Sequence, residues 1–452
     1  MIDVRALRAD PESMRQAIRE RRVDPGRADL DRWLELDDQR RRLQGELDGL
    51  NGEKKELARL GKTDPQAARQ RGQELRERGR QLEQELAALT TAWQTVLDWF
   101  PNWPHPAMPR GAGEDDNVEE KAWAPGVGYL PAGSLGTGHG SAALMPSFPP
   151  HARTRDFSPR AHADLGGGLG VDTLQGAKVS GSRFAYVHGA IALVQYALTR
   201  LLSDELLRRG YELMVPPLLV RERTLYGTSH FPEGRDQVYR ITSENVEEGA
   251  ELYLVGSSEP ANFSYFMDRT LGEAELPYRL FACTTCFRSE AGSWGRDVRG
   301  IKRVHQFDKI EMNAVCRPDQ SEAMYEEFGG INEWLLQTLE LPYRMVDKCT
   351  GDAGYLATHR QRDMEVWLPG SGEYMEVMTD TNTTDYQARR LNIRYRSEAA
   401  GLQFCHTVND TGCAMGRMLI AIMENYQQAD GAVVVPAALR PVVGREVLAP
   451  PA

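Results

Sequence analysis

Two long heptad repeats near the N-terminus constrain the fold more than any other feature of this chain. Apolar side chains recur every seven residues, first as Leu36, Leu43, Leu50 and Leu57 and then as Leu75, Leu82, Leu89 and Val96. Between the repeats, residues 61–65 contain a glycine and a proline that a continuous helix does not accommodate. The pattern predicts two helices, over about 29–60 and 66–98, that fold back on each other as an antiparallel coiled coil.

The outer surface of this predicted helical arm is rich in arginine, interleaved with glutamate and glutamine. The basic positions are Arg40, Arg41, Arg42, Arg59, Arg69, Arg71, Arg76, Arg78 and Arg80. Such a pattern usually stabilises a helix surface through ion pairs between successive turns. It also suits contact with an RNA backbone, and the spacing alone leaves both interpretations open.

A second informative segment is the basic stretch FRSEAGSWGRDVRGIKRVHQFDKIE at 287–311. Apolar ends around an Arg- and Gly-rich centre predict two antiparallel strands joined by a long basic loop, with Arg288 and Glu290 on the first strand and Phe307 and Glu311 on the second. Guanidinium groups bind phosphate, an aromatic face stacks on a base, and carboxylates bind amines. The segment therefore suggests a nucleotide site, although an Arg-rich hairpin can also be a solvated surface ribbon.

Length and composition set broad limits on this protein. A chain of 452 residues favours two or three domains, and 41% hydrophobic with 26% charged residues is typical of a globular protein. No apolar run approaches the roughly 20 residues that cross a bilayer, and the charged N-terminus does not resemble a secretory signal. We therefore expect a cytoplasmic protein with no membrane partner. The net charge of -11 leaves local RNA binding open.

The six cysteines are too sparse for a disulfide framework. Cys283 and Cys286 form a CxxC, but no second pair stands at zinc-ribbon spacing. We expect no zinc, and the two residues to serve in packing.

The 287–311 segment resembles motif 2 of class II aminoacyl-tRNA synthetases, in the version found in seryl-tRNA synthetases. MIDVRALRADPESMRQAI at the N-terminus and EDDNVEEKAW at 114–123 resemble the same family. An apolar helix over about 191–209 followed by YELMVPPLLV resembles motif 1, and the segment beginning NDTGCAMGRML at 409 resembles motif 3. The resemblance implies an α+β fold, in which a helical arm precedes a catalytic domain built on an antiparallel sheet flanked by helices. It implies a tRNA-binding arm at 1–110, a linker with a Pro/Gly-rich insertion at 111–160, and a catalytic domain at 161–452.

The resemblance also implies a set of site residues. The catalytic residues would be Arg288, Arg417 and Glu376. ATP would contact Arg288, Ser289, Glu290, Val304, Phe307, Glu376, Val377, Met378, Thr379 and Arg417. Serine would contact Ser257, Ser258, Glu259, Arg288, Glu311, Asn409 and Thr411. Glu376 and Thr379 would support Mg²⁺ bound with the ATP, because hard oxygen ligands suit a hard cation.

The roles implied by the resemblance follow the chemistry of amino-acid activation. Arg288 would bridge the α-phosphate and the substrate carboxylate, and Arg417 would bind the β and γ phosphates. Glu290 would read the adenine amino group while Phe307 stacks on the ring. Glu311 would bind the substrate ammonium group.

The implied function is serine–tRNA ligase, acting on tRNA(Ser) through the 29–98 arm, with the selenocysteine tRNA as a further substrate, and the implied assembly is a homodimer. At 378–383 the chain reads MTDTNT where the family typically has Ser-Ser-Cys-Ser-Asn-Cys, so Asp380 is expected to add a charge beside the amino-acid site. Two alternatives stay open. One is a paralogue dedicated to a biosynthetic pathway or to inhibitor resistance, and the other is a noncatalytic tRNA-binding protein.

Overall fold

A computed structural model describes residues 1–60, 65–131, 156–242, 251–292 and 299–450. Three predicted features therefore lie wholly or partly outside the described residues: the turn between the arm helices, most of the insertion at 129–155, and the centre of the basic loop after Arg288. The chain divides into two compact units, Asp3–Pro101 and Asn102–Ala452. Among the described residues, no helix is long and apolar enough to cross a membrane.

The N-terminal unit is helical and contains the predicted coiled coil. Its helices are α1 (Val4–Ala9), α2 (Pro11–Glu20), α3 (Leu30–Leu60) and α4 (Pro65–Leu97). The last two begin and end within a residue of the predicted bounds. Leu47, Leu50, Leu75 and Leu82 form a buried apolar cluster between them. The ion pairs Arg71–Glu53 and Arg78–Glu46 show that α3 and α4 run antiparallel.

A buried carboxylate ties the base of this hairpin together. Asp37 on α3 accepts hydrogen bonds from Arg8 Nε and Nη2 at 2.7 and 2.8 Å, and from Trp93 Nε1 on α4 at 3.0 Å. Burial raises the pKa of Asp37, but the hydrogen bonds and charge of Arg8 outweigh it, and the pKa lies below its ordinary value. The ionised carboxylate thus joins three segments of the N-terminal unit.

The C-terminal unit combines helices with a large sheet. Its helices are α5 (His162–Leu169), α6 (Thr173–Ser180), α7 (Ala190–Arg208), α8 (Glu222–Gly227), α9 (Glu259–Ser264), α10 (Ser321–Thr338), α11 (Tyr386–Leu391), α12 (Met415–Tyr426) and α13 (Arg440–Val443). Its strands are β1 (Val118–Ala124), β2 (Gly128–Leu130), β3 (Val171–Asp172), β4 (Tyr186–Val187), β5 (Glu212–Met214), β6 (Leu219–Arg221), β7 (Arg240–Ile241), β8 (Leu252–Leu254), β9 (Thr270–Gly272), β10 (Tyr278–Phe287), β11 (Gln306–Cys316), β12 (Tyr343–Asp347), β13 (Arg360–Leu368), β14 (Glu373–Thr384), β15 (Arg394–Ser397), β16 (Gly401–Phe404), β17 (His406–Ala414), β18 (Val433–Val434) and β19 (Val447–Leu448).

Within the described residues, nine strands form the main sheet in the order β2-β1-β12-β13-β14-β17-β11-β10-β5. Every neighbouring pair is antiparallel except β10 and β5, which are parallel. The predicted α+β class and helix-flanked antiparallel sheet are therefore confirmed. The sheet also includes β1 and β2, which lie in the range predicted as a linker, because β1 pairs with β12 through the register Val118↔Asp347 to Trp123↔Tyr343. The domain boundaries at 110 and 160 stay predictions.

The two faces of the sheet have different chemistry. On β11, Ile310, Met312 and Ala314 belong to the hydrophobic core that also contains apolar side chains of α7, α10 and α12. Lys309 and Glu311 alternate with them and point to the other face. That polar face carries the candidate site.

The predicted strand at 211–220 is shorter than its sequence pattern suggests. The segment forms β5 and then, beyond Pro216 and Pro217, β6. Proline has no backbone N–H to donate to a neighbouring strand, and the pair interrupts the ladder.

Candidate active site

The predicted hairpin is present, with a shift in where its first strand ends. β10 and β11 pair antiparallel from Tyr278↔Val315 to Phe287↔Gln306. Phe307 and Glu311 lie on β11, as predicted, but Arg288 and Glu290 follow β10 rather than lying on it. Glu290 has a φ of 51°, in the left-handed region, so the chain leaves the extended conformation at this point.

Two adjoining cavities open on the polar face and share Arg288, Lys309, Glu376 and Thr411. The smaller, of about 90 Å³, we call the Phe307 cavity; it is also lined by Glu290, Ile301, Lys302, Arg303, Val304, Phe307, Val377, Ala414, Gly416 and Arg417. The larger, of about 230 Å³, we call the Glu259 cavity; it is also lined by Thr228, His230, Ser257, Glu259, Glu311, Gly354, Tyr355, Ala357, Thr358, Gln361, Thr379, Thr381, Thr383, Gln387 and Asn409.

The Phe307 cavity combines an aromatic face with two guanidinium groups. Arg288 Cζ lies 5.4 Å from the centroid of the Phe307 ring, and its Nε donates to the Gly256 carbonyl at 3.2 Å. Arg417 Nη1 donates to Glu376 Oε1 at 2.7 Å and to the Glu376 carbonyl at 2.9 Å. A planar ring and an anionic phosphate chain both suit such a lining.

One carboxylate and one guanidinium of the Glu259 cavity take no part in its ion pairs between acidic and basic side chains. Glu311 forms an ion pair with Lys309, and Glu376 forms one with Arg417 of the Phe307 cavity. Among the described residues, neither Glu259 nor Arg288 forms an ion pair with a Lys, Arg, Asp or Glu side chain. The two unpaired groups complement a zwitterion that carries both an ammonium and a carboxylate.

The ionisation of Glu259 is finely balanced. Burial, together with the nearby charge of Glu311, raises the pKa of Glu259 to about 7. Gln387 Nε2 donates to Glu259 Oε1 at 2.7 Å and opposes this shift. A bound cation would favour the ionised form, because an opposite charge lowers the pKa of a carboxyl group.

A third group of oxygen atoms lies where the cavities meet. Thr379 Oγ1 is 2.9 Å from Asp363 Oδ1 and 3.2 Å from Glu376 Oε1. Burial raises the pKa of Asp363 to about 7, with the charge of Glu376 acting in the same direction. Burial also raises the pKa of Glu376, but the charges of Arg417 and Lys348 outweigh it, and the pKa lies below its ordinary value. Hard oxygen atoms of this kind suit Mg²⁺.

Comparison with known proteins adds to this geometry. A family model of the seryl-tRNA synthetase N-terminal domain matches residues 1–104, and one of the class II tRNA synthetase core domain (G, H, P, S and T) matches residues 239–426. The serine–tRNA ligase of Dictyoglomus turgidum is 38% identical over all of both chains, and that of Rubrobacter xylanophilus is 39% identical over all of this chain and 99% of its own. The chain belongs to the seryl-tRNA synthetase family.

Solved structures of seryl-tRNA synthetases agree with this assignment. The enzyme from Pyrococcus horikoshii complexed with ATP matches with a TM-score of 0.88 at 32% identity, covering all of both chains. The cytoplasmic enzyme of Naegleria fowleri in complex with AMP matches with a TM-score of 0.80 at 28% identity, covering 97% of this chain and 96% of its own.

Most residues that the resemblance assigns to serine lie together in the structure. Ser257, Glu259, Arg288, Glu311, Asn409 and Thr411 all line the Glu259 cavity. Ser258 does not line it, since its buried Oγ accepts from Asn262 Nδ2 at 3.4 Å in α9. Neighbouring residues point in different directions, so only one of the two serines reaches the cavity.

Most residues that the resemblance assigns to ATP also line one of the two cavities. Arg288, Glu290, Val304, Phe307, Glu376, Val377 and Arg417 line the Phe307 cavity, and Thr379 lines the Glu259 cavity. Two do not line either cavity. The Ser289 hydroxyl donates to the Asp236 carbonyl, and the Met378 side chain lies in the hydrophobic core. Only the backbone of Met378 is therefore available to a ligand.

The expected effect of Asp380 on the amino-acid site is wrong. Thr379, Thr381 and Thr383 line the Glu259 cavity, whereas Asp380 points to the opposite face of β14. There its Oδ2 accepts from Arg362 Nε at 3.0 Å, and both side chains are 2% exposed. Alternation along a strand places every second residue away from the site, so the unusual charge is neutralised within the helix-covered layer.

Sequence reasoning missed several residues of the site. Lys309 alternates with Phe307 and Glu311 on β11, and this two-residue period was a signal that could have revealed it. His230 and Tyr355 come from loops distant in sequence, with ring centroids 4.6 Å apart. No local pattern indicates that these two rings meet.

Cys283 and Cys286 do not share a ligand set. They lie three residues apart on β10, where such residues point to opposite faces. Cys283 is exposed and Cys286 is buried. The expected packing role therefore fits the buried Cys286 and does not fit the exposed Cys283.

A separate group of possible metal ligands consists of His105, Glu322 and His359, whose ligand atoms lie within 4.8 Å of one another. His359 Nδ1 lies 2.5 Å from the Trp103 carbonyl and is therefore its donor, which leaves Nε2 free to bind a metal. His105 Nδ1 instead accepts the Ala107 N–H at 3.1 Å. In that tautomer His105 Nε2 carries the proton and cannot bind a metal.

Proposed function

We propose that this protein activates L-serine with ATP, forming seryl-adenylate and pyrophosphate, and then transfers serine to tRNA(Ser). The meeting of the two cavities at Arg288 carries the proposal. A carboxylate in the Glu259 cavity and a phosphate in the Phe307 cavity would share its guanidinium, which suits two anions that must react with each other. The relatives named serine–tRNA ligase support serine as the amino acid.

The first step needs positioning and charge neutralisation rather than a general base. The serine carboxylate is already ionised at neutral pH, so its oxygen attacks the α-phosphorus, an O–P bond forms, and pyrophosphate leaves with the electrons of the broken bond. Arg288 and Lys309 offset the repulsion between the two anions. In the second step the terminal ribose hydroxyl of the tRNA attacks the carbonyl carbon, the bond from that carbon to the phosphate oxygen breaks, and AMP leaves with the hydroxyl proton on a phosphate oxygen.

The Glu259 cavity can distinguish serine from its apolar analogues. Ser257, Glu311 and Thr411 present polar atoms around the space left for a small side chain. A site built to hydrogen-bond a hydroxyl rejects an analogue that lacks it, because buried polar groups would then lose their partner. Alanine should therefore be a poor substrate.

ATP is used with Mg²⁺ in this proposal. Glu376 and Thr379 would support the ion, which would neutralise charge on the phosphates when bound. The oxygen-rich lining fits a hard cation, and we infer no zinc requirement.

We further propose that the α3–α4 arm binds tRNA(Ser). Arg71 and Arg78 form ion pairs with glutamates, so helix stabilisation accounts for part of the arginine pattern. A variant shortened equally in α3 and α4 should keep serine-dependent ATP/pyrophosphate exchange and lose tRNA charging. Unchanged charging would show that the arm does not bind the tRNA.

A homodimer is supported by exposed apolar side chains on α7 and in the segment after it. Tyr196 is 69% exposed and Val215 is 91% exposed, with Leu193, Leu207 and Leu213 also exposed. Several large apolar side chains exposed within one segment are typical of protein interfaces. Sedimentation equilibrium should give twice the chain mass, and Tyr196→Glu should lower the association.

Serine-dependent ATP/pyrophosphate exchange, run across the amino acids, tests the main proposal. Exchange with serine is expected, and its absence at saturating ATP and Mg²⁺ would refute the proposal.

A noncatalytic tRNA-binding protein would show no exchange, although the lined cavities and the pairing of Arg417 with Glu376 favour an enzyme. One observation that suggested a pathway-dedicated paralogue no longer supports it, because Asp380 points away from the site. The selenocysteine tRNA as a substrate and a cytoplasmic location remain part of the proposal.

A further inference from the structure

His230 occupies the Glu259 cavity on a rigidly held loop. Its imidazole is buried, and it follows Ser229, which has a φ of 67° and is fully buried. A serine rarely adopts this left-handed conformation unless its surroundings hold it there. Arg390 Nη1 provides such support by donating to the carbonyls of Tyr226 at 2.9 Å and Phe231 at 3.0 Å. The imidazole is therefore presented to the cavity in one position.

Hydrogen bonds define the tautomer of this imidazole. The Thr228 hydroxyl donates to the Thr224 carbonyl at 3.2 Å, so its oxygen accepts from His230 Nδ1 at 3.0 Å. Burial, together with the charges of Arg288 and Lys309, lowers the pKa of His230 to about 3. The ring is thus neutral with its proton on Nδ1, which leaves a lone pair on Nε2.

This lone pair faces a second acceptor. His230 Nε2 lies 4.0 Å from Glu259 Oε2, too far for a direct hydrogen bond. Glu259 Oε1 already accepts from Gln387 at 2.7 Å and Asn409 at 3.4 Å, whereas no described residue donates to Oε2. A donor nitrogen between His230 Nε2 and Glu259 Oε2 could lie about 2.8–3.0 Å from each. An ammonium group supplies two diverging N–H bonds for this purpose, and a hydroxyl supplies only one proton.

We propose that His230 is a substrate-binding residue whose Nε2 accepts a hydrogen bond from the α-ammonium group of the amino-acid substrate, while Glu259 Oε2 binds the same group. The inference rests on the proposed function only in taking an α-amino acid as substrate. Arg288, the unpaired guanidinium of the cavity, holds the carboxylate of the same molecule. This assigns the ammonium to Glu259 and His230 rather than to Glu311, which is already paired with Lys309.

Kinetics of ATP/pyrophosphate exchange test the inference through two substitutions at one position. His230→Leu removes the acceptor, and His230→Gln keeps a carbonyl oxygen at a similar reach. We expect His230→Leu to raise KM for serine about 10- to 100-fold, the usual cost of a lost hydrogen bond to a charged group, with KM for ATP changed less than about twofold. His230→Gln should recover most of the loss. His406→Gln is a matched control, because His406 is partly buried and lies outside both cavities, so the change should leave both KM values unchanged.

Competing ligands separate the ammonium from the hydroxyl. L-Alanine carries the ammonium without the hydroxyl, and 3-hydroxypropanoate carries the hydroxyl without the ammonium. His230→Leu should weaken inhibition by alanine as much as it weakens serine binding, and leave inhibition by 3-hydroxypropanoate unchanged. The reverse pattern, or an unchanged KM for serine, would overturn the inference. If His230→Leu proves unstable, the same comparison is made with His230→Ala, which also removes the acceptor, and a loss as severe for 3-hydroxypropanoate as for alanine would refute the inference. Failure of the proposed function would appear separately, as no serine-dependent exchange in the unaltered protein.

Discussion

Ionisation of Glu259 should determine how serine activation depends on pH. Its pKa in the free protein is about 7, raised by burial and by Glu311. Ammonium binding needs the carboxylate, which is present above this pKa and lost as the pH falls through it. For a single group of this pKa, the ionised fraction is about 90% at pH 8 and about 10% at pH 6. We therefore expect kcat/KM for serine, which reports the free enzyme, to fall about tenfold between those values.

The assay is serine-dependent exchange measured from about pH 5.5 to 9, with Glu259→Gln as the comparison. The charged or titratable groups that face Glu259 are His230, Arg288, Lys309, Glu311 and Tyr355, and all of them remain in that variant. Glu259→Gln should have a lower kcat/KM for serine and a profile without the tenfold fall. At saturating serine the fall in kcat should also be smaller, because the bound ammonium favours the carboxylate. A flat profile in the unaltered protein, or the same fall in Glu259→Gln, would refute the reasoning.

Three further predictions concern other contacts. Asp380→Ala should lower the free energy of unfolding by about 2 kcal/mol, because the buried Arg362 loses the acceptor of its Nε and keeps Glu326, at 3.0 Å, as its nearest acidic partner. Denaturant titration should show that adding Arg362→Met restores most of the loss, and a double variant no more stable than the single one would contradict this. Arg288→Lys keeps the positive charge but loses the two-pronged guanidinium geometry, so ATP/pyrophosphate exchange should fall about 100-fold with an unchanged Tm. A near-normal exchange rate would show that Arg288 does not bridge the two anions. Trp93→Phe removes a hydrogen-bond donor to Asp37 and should lower the free energy of unfolding by about 1 kcal/mol. Amide hydrogen exchange in the N-terminal unit should become faster, while serine-dependent ATP/pyrophosphate exchange should be unchanged. A loss of that activity would show that the effect reaches the catalytic unit.

Local patterns predicted the elements whose signals are themselves local. The heptads place α3 and α4 within a residue of their observed ends, because an apolar side chain every seven residues identifies one helix face without reference to the rest of the chain. The apolar ends of the 287–311 segment predict β10 and β11 in the same way. The exact end of β10, one residue before Arg288, was not predicted, since the left-handed backbone at Glu290 depends on the surrounding fold.

Whether a residue reaches the site depends on strand register and loop packing. Ser257 lines the Glu259 cavity while Ser258 does not, and Asp380 points away from the threonines on either side of it. A one-residue change in register would reverse the face of every side chain on β14. His230 and Tyr355 reach the cavity on separate loops, so no short stretch of sequence contains the information that they meet.

The sequence by itself determined the helical arm, the hairpin and the residue types able to bind a nucleotide and an amino acid. Only the tertiary structure decided which charges are already neutralised. It pairs Glu311 with Lys309 and Asp380 with Arg362, and it leaves Glu259 and Arg288 for a ligand. The physical reason is that charges interact strongly over a few ångströms in a buried site, and such distances between residues far apart in the chain exist only after the sheet has formed.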